Sequence, residues 1–190
     1  MGKFEVTQKQ WKNIMGINPS IFKGDDHPVD NITWSDAILF LKKLNEQDRE
    51  HFYRLPTEFE WEYAARAGAV DDISWDEIRL QAQIGTNTTN EVGAKKPNAW
   101  GLYDMLGNVW EWTTDWYQDN YYSTLGVNID NPQGPKNGQV HVLRGGSWYS
   151  GANDVRSASR WGDPSYIGRR VGFRCANSFP QFNVPNGIPT

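Results

Sequence analysis

The spacing of apolar and polar positions predicts three short helices near the start of the chain. Thr7 followed by Gln10 is a reciprocal capping box, in which each side chain satisfies the other residue's backbone N–H. Trp11, Ile14 and Met15 then fall on one face, and Gly16 supplies the stop. A second helix follows Thr33, with Trp34, Ala37, Ile38, Leu41 and Leu44 at helical spacing and therefore one packed side. A third opens at Pro56 and Thr57, closes its box with Glu60, buries Trp61, Ala64 and Ala65, and ends before Gly68. The helical period then disappears. From Asp71 to Asn98 the chain is polar, carries one weak helical turn around Trp75 to Leu80, and reads mainly as surface loop. Strands of four or five residues are predicted at Val109 to Thr113, Val140 to Leu143 and Val171 to Cys175. Alternation places Val171, Phe173 and Cys175 on one face, and gives Trp110 and Trp112 the buried face of their strand. The turn-rich segment Asn131 to Gly138 belongs on the surface.

Composition sharpens this picture. Hydrophobic residues make up 38% of the 190-residue chain and aromatics 14%, with ten Trp, so the core has to be filled by a few large rings. Eighteen Gly and ten Pro break up regular elements, which favours a loop-rich α+β domain without long helices. The expected domain spans residues 1–176, followed by a flexible Asn-, Pro- and Gly-rich tail over 177–190. Net charge is −4 with scattered Lys and Arg, which leaves no footprint for nucleic acid. No apolar run approaches bilayer length, so no membrane insertion is expected and the chain as given reads as soluble. A single cysteine, Cys175, rules out an intrachain disulfide or thiol pair.

Three blocks carry a resemblance: Arg54 to Gly68 (RLPTEFEWEYAARAG), Pro97 to Trp116 (PNAWGLYDMLGNVWEWTTDW), and Leu143 to Cys175, which contains RGGSW and closes on VGFRC. In this order they resemble the superfamily of formylglycine-generating enzymes, or sulfatase-modifying factors, as does the opening MGKFEVTQKQW. The resemblance implies that family's C-type-lectin-like fold, with short helices and short antiparallel strands. It also implies a strand upstream of the MGKFEVTQ-like segment, which this sequence does not include. Family members that oxidise a substrate cysteine carry two cysteines shortly after RGGS, where paired thiolates bind copper(I). Here the first position is Ser150, and the shortened segment that follows, Gly151 to Arg156, contains no sulfur. A neutral hydroxyl cannot replace a thiolate toward a soft metal, so no copper is expected. Cys175 matches a family cysteine whose disulfide partner would stand at Ala65, and it is expected to pack as a small apolar residue.

The same resemblance implies a structural calcium ion held by Asp104, Gly107, Val109 and Glu111, two carboxylates and two backbone carbonyls suited to a hard cation. The alternative is that Asp104 and Glu111 cap turns. Arg144, Arg156, Arg160 and Arg174 read as donors to loop carbonyls in preference to an anion site. His27, His51 and His141 have no spacing typical of a metal site or triad, and read as surface or strand residues.

Between the last two strands, rings stand among Ser, Gly, Asn and Asp, a composition used by recognition surfaces and equally compatible with rings folding into the core. The run RGGSW, VRSA, Arg160, Pro164, Arg169 and VGFR is similar to the variable proteins of diversity-generating retroelements, whose codons are rewritten over a fixed scaffold. That similarity implies a ligand-binding patch at Tyr149, Ser150, Gly151, Asn153, Asp154, Ser159, Trp161, Gly162, Asp163, Ser165, Tyr166, Ile167, Gly168 and Arg170. The expected function is non-enzymatic binding of a protein or other surface ligand, with a parent protein at a cell surface or on a virion as one setting. The rival expectation is an oxidative modifying enzyme using the same cleft with a different cofactor.

Overall fold

A computed structural model describes residues 1–126, 131–151, 154–162 and 168–178. Its helices are set by local capping. Helix α1 (Gln8–Met15) has the Thr7–Gln10 box and ends on left-handed Gly16, with φ 81°. Helix α2 (Trp34–Gln47) uses Asp36 to close its box on Thr33, and α3 (Glu58–Arg66) uses Glu60 on Thr57. Helix α4 (Trp75–Gln81) is longer than the single turn expected, because Ser74 and Glu77 form a fourth capping box.

The strands depart further from expectation. Strand β1 (Phe52–Arg54) pairs antiparallel with β6 (Ala176–Ser178), and the Arg54 side chain donates from Nε to Ser178 Oγ at 2.8 Å. Asn177 and Ser178 are therefore part of the folded unit and not of a tail; the expected tail from residue 179 onward lies outside the described residues. The main sheet has the order β4 (Arg160–Trp161), β3 (His141–Arg144), β2 (Trp110–Trp116), β5 (Val171–Gly172). The β4–β3 and β3–β2 pairs are antiparallel, as expected, whereas β2 and β5 are parallel. Strand β2 runs past Thr113 to Trp116 across a bulge that restores its pairing with β3, and β5 is only two residues long.

The core is aromatic, as the composition requires. Trp11 stacks on Phe40 with ring centroids 5.2 Å apart, and Phe173 meets both rings edge-on. Trp110, Trp112, Leu143 and Val171 of the sheet join this cluster, and Cys175 packs against it. Burial pushes the Cys175 thiol up to about 12, so it stays protonated and behaves as the small apolar residue expected. The prediction of one buried face for β2 needs correction: Trp110, Glu111, Trp112 and Thr113 are all buried, because α3 covers the face opposite the main core.

Glu111 is accommodated there by charge pairing. Its carboxylate accepts two bonds from Arg174, from Nε and Nη2, each 2.7 Å, and a third from Trp61 Nε1 at 2.7 Å. Arg174 also donates to the carbonyls of Gly2 and Tyr103. Arg144 donates to the carbonyls of Ser157 and Ser159 and to Glu62, and Arg160 pairs with Glu58 and the Gln118 carbonyl. Three of the four arginines thus serve loop carbonyls as expected, together with carboxylates that the sequence did not connect to them.

Candidate functional site

Strand β3 delivers the chain to a tight turn. Gly145 and Gly146 both have left-handed φ, 93° and 81°. A Cβ at Gly145 would lie 3.1 Å from the Met105 carbonyl oxygen and from the Trp61 ring, and one at Gly146 2.7 Å from Val155. Only glycine satisfies both the angle and the space at these positions. The turn then closes on itself, with Ser147 N–H donating to Ser150 Oγ at 3.0 Å and Ser150 N–H to the Ser147 carbonyl at 2.9 Å. Trp148 N–H donates to the Asn108 carbonyl, which fixes the turn on the loop before β2.

This geometry lifts Tyr149 into solvent, 60% exposed, while Trp148 is buried beneath it and meets Phe22 edge-on. The Arg170 guanidinium lies 4.1 Å from the Tyr149 ring centroid and 5.3 Å from that of Trp148. A cation over a ring face is worth about 0.5–1 kcal/mol at an exposed site, enough to bias the rotamers of both side chains. Gly151 and Asp154 are also exposed, and Gly151 N–H donates to the Asp154 carboxylate. Trp161 on edge strand β4 is 39% exposed, its ring 6.4 Å from Trp110.

The structure therefore brings Tyr149, Gly151, Asp154 and Arg170 to one turn and its neighbour, with Trp161 outward on the sheet edge. Ser159 is half-buried, its carbonyl accepting from Arg144. Ser150 and Gly162 are buried and serve the scaffold: the Ser150 hydroxyl faces inward, and a Cβ at Gly162 would collide with the Tyr117 ring at 2.2 Å. Gly168 opens a 3₁₀ turn (Gly168–Arg170) that feeds β5. Asn153, Asp163, Ser165, Tyr166 and Ile167 lie outside the described residues.

Two side chains missed as candidates border the turn. Ser147 Oγ and Trp148 Nε1 are buried polar atoms without a partner among the described residues, an uncommon state for a folded protein. Their place inside RGGSW, directly before the exposed Tyr149, was the available signal.

Calcium at Asp104, Gly107, Val109 and Glu111 meets a chemical obstacle. Both Glu111 oxygens are committed to Arg174 and Trp61, so a dication bound to Glu111 would stand beside a buried guanidinium. One Asp104 oxygen accepts from Gly93 N–H at 2.7 Å. Among the described residues no three acidic, His or Cys side chains are arranged to hold a metal ion. Arg174 already supplies the countercharge to Glu111. Burial, together with the charges of Asp104 and Glu111, raises the Glu5 carboxyl well above its ordinary value.

The sulfatase-modifying factor enzyme 1-like domain matches residues 1–179. The chain is 40% identical over 156 residues to the serine/threonine-protein kinase pkn1 of Chlamydia pneumoniae, covering 80% of this chain and 24% of that protein. It is 35% identical over 195 residues to the formylglycine-generating enzyme of Streptomyces coelicolor (strain ATCC BAA-471 / A3(2) / M145), covering 90% of this chain and 59% of that enzyme. It thus spans about a quarter of the kinase and under two thirds of the enzyme. Among solved structures, Treponema denticola variable protein 1 superposes with a TM-score of 0.80 at 32% identity, covering 94% of this chain and 84% of that one. PvdO from Pseudomonas aeruginosa superposes with a TM-score of 0.79 at 26% identity, covering 93% and 79%. With its motifs, fold and relatives in agreement, the chain belongs to the sulfatase-modifying factor enzyme 1-like domain family, and within it resembles a variable protein.

Proposed function

We propose that this domain is a ligand-binding module that presents a recognition patch around Tyr149, Arg170 and Trp161 and performs no thiol chemistry. The observation that carries this reading is the division of labour after β3. Tyr149 projects from a turn whose folding is secured by other residues, the glycine pair and the inward hydroxyl of Ser150, and the exposed Gly151 and Asp154 follow it, bonded to each other. Serine where the oxidising relatives hold a first cysteine, with the one thiol partly buried and protonated, removes the copper(I) ligands that oxidation requires. The partner is a protein or other surface ligand, and diversification of the patch by a retroelement is the finer form of the proposal. Among the described residues no helix is long and apolar enough to cross a membrane, and a parent protein would carry the module to a cell surface or virion.

Randomising Tyr149, Gly151, Asp154 and Trp161 together tests the division of labour. Most variants should keep a cooperative thermal melt, and general loss of folding would refute it. The finer claim predicts a reverse transcriptase gene and a near-identical template repeat beside the coding sequence, differing at adenines in the patch codons. Flanking DNA without such a repeat removes diversification and leaves plain ligand binding.

A further inference from the structure

A cavity lies at the opposite end of β3 from the Tyr149 turn, between the start of α2, the end of β2 and Gln139–His141. Its volume is about 610 Å³, within the range of small-ligand sites. Its walls are aromatic: Trp34, Trp112, Trp116 and His141 all line it. His141 is held between two indoles, its centroid 3.9 Å from Trp34 and parallel to it within 1°, and 3.8 Å from Trp116 at a tilt of 23°. Trp34 Nε1 donates to the Thr113 carbonyl at 2.9 Å and Trp112 Nε1 to the Ile32 carbonyl at 3.2 Å, so these rings are preorganised. His141 Nδ1 is 3.1 Å from the Thr114 carbonyl, which assigns the proton to Nδ1 and leaves Nε2 an acceptor.

Among the described residues no Asp, Glu, Lys or Arg lines the cavity. A charged ligand would lose its hydration there without gaining a countercharge, which is costly, so the cavity selects neutral molecules. The rim is polar: Asn31, Ser35 and Gln139 are exposed, and the side chains of Ser35, Gln139 and Trp116 are without a hydrogen-bond partner among the described residues. A purely hydrocarbon guest would desolvate these groups for no return. From indole faces, unengaged amide, hydroxyl and indole N–H groups, and the lack of charge, we infer that the cavity binds a neutral polyhydroxylated ring, a saccharide unit. Its C–H face packs on the indole surface and its hydroxyls bond to Gln139, Ser35 and Trp116. This site is separate from the proposed patch and does not depend on it.

The full chain, ¹⁵N-labelled, is titrated with methyl α-glucoside, N-acetylglucosamine and cellotriose, and in parallel with glucuronate, choline and phenol. At least one neutral sugar should shift the Trp116 and Trp34 indole N–H signals saturably and more strongly than the three comparators. Gln139→Ala, at an exposed position that leaves folding intact, should weaken binding several-fold. Trp116→Ala should weaken it about tenfold by removing an aromatic contact. Tyr149→Ala should bind sugar like the parent protein, which separates this site from the patch. No saturable shift with any of the three sugars overturns the inference, as does tighter binding of glucuronate, choline or phenol. Sugar binding undiminished in Gln139→Ala overturns it too, even where Trp116→Ala fails to fold.

Discussion

Asp30 offers a sharp test of the packing, because it is fully buried and only half satisfied. One carboxylate oxygen accepts from Ile21 N–H at 2.7 Å, while the other is buried without a partner among the described residues. Burial pushes the carboxyl from an ordinary 3.8 to about 6. Since the native value lies above the unfolded one, the folded chain binds this proton more tightly. The stability linked to it is fully present below 3.8 and is lost as pH rises through about 6. A displacement of about two units corresponds to about 3 kcal/mol at ~1.36 kcal/mol per unit, of which about 2 kcal/mol falls between about pH 7.5 and pH 4.5. Asp30→Asn removes the titration while keeping the shape. Urea denaturation of both proteins at the two pH values gives a difference of differences in which all other groups cancel. The parent should gain about 2 kcal/mol on the variant at the lower pH. An unchanged difference would refute the burial of an unpaired Asp30 oxygen.

Other outcomes follow from the buried pairs. Arg174→Met strips the countercharge from Glu111 and its neighbours, and should cost about 3–5 kcal/mol by urea denaturation; a loss below about 1 kcal/mol would contradict the pairing. Because Arg174 already neutralises Glu111, EGTA should leave the thermal midpoint unchanged, and a clear drop would reveal a bound cation. Cys175, with its thiol pushed up to about 12, should react with a disulfide reagent only on unfolding, so prompt labelling of the native protein would show an accessible thiolate.

What the sequence made legible was local. The boxes at Thr7 and Thr57 and the glycine at 16 announce their helices because each signal sits within one turn of the element it caps. The family blocks fix the architecture through Gly145 and Gly146, whose backbone angles admit no other residue. What stayed hidden depends on chain-distant partners. β1 and β6 are three residues each and become strands only by finding one another across the domain. Glu111 reads as a cation ligand until Arg174, 63 residues later, occupies it. Ser150 has the small polar character of a recognition residue, yet its hydroxyl caps Ser147 from inside the turn. His141 has no spacing that suggests a site, since Trp34 and Trp116 reach it from separate elements.

The proposal of a binding module without thiol chemistry faces its sharpest test in copper(I) titration of the purified chain, followed by incubation with a cysteine peptide under oxygen. No stoichiometric tight copper binding is expected, and the peptide should be recovered with its thiol intact by mass spectrometry. One tightly held copper per chain, with conversion of the peptide thiol to an aldehyde, would contradict it.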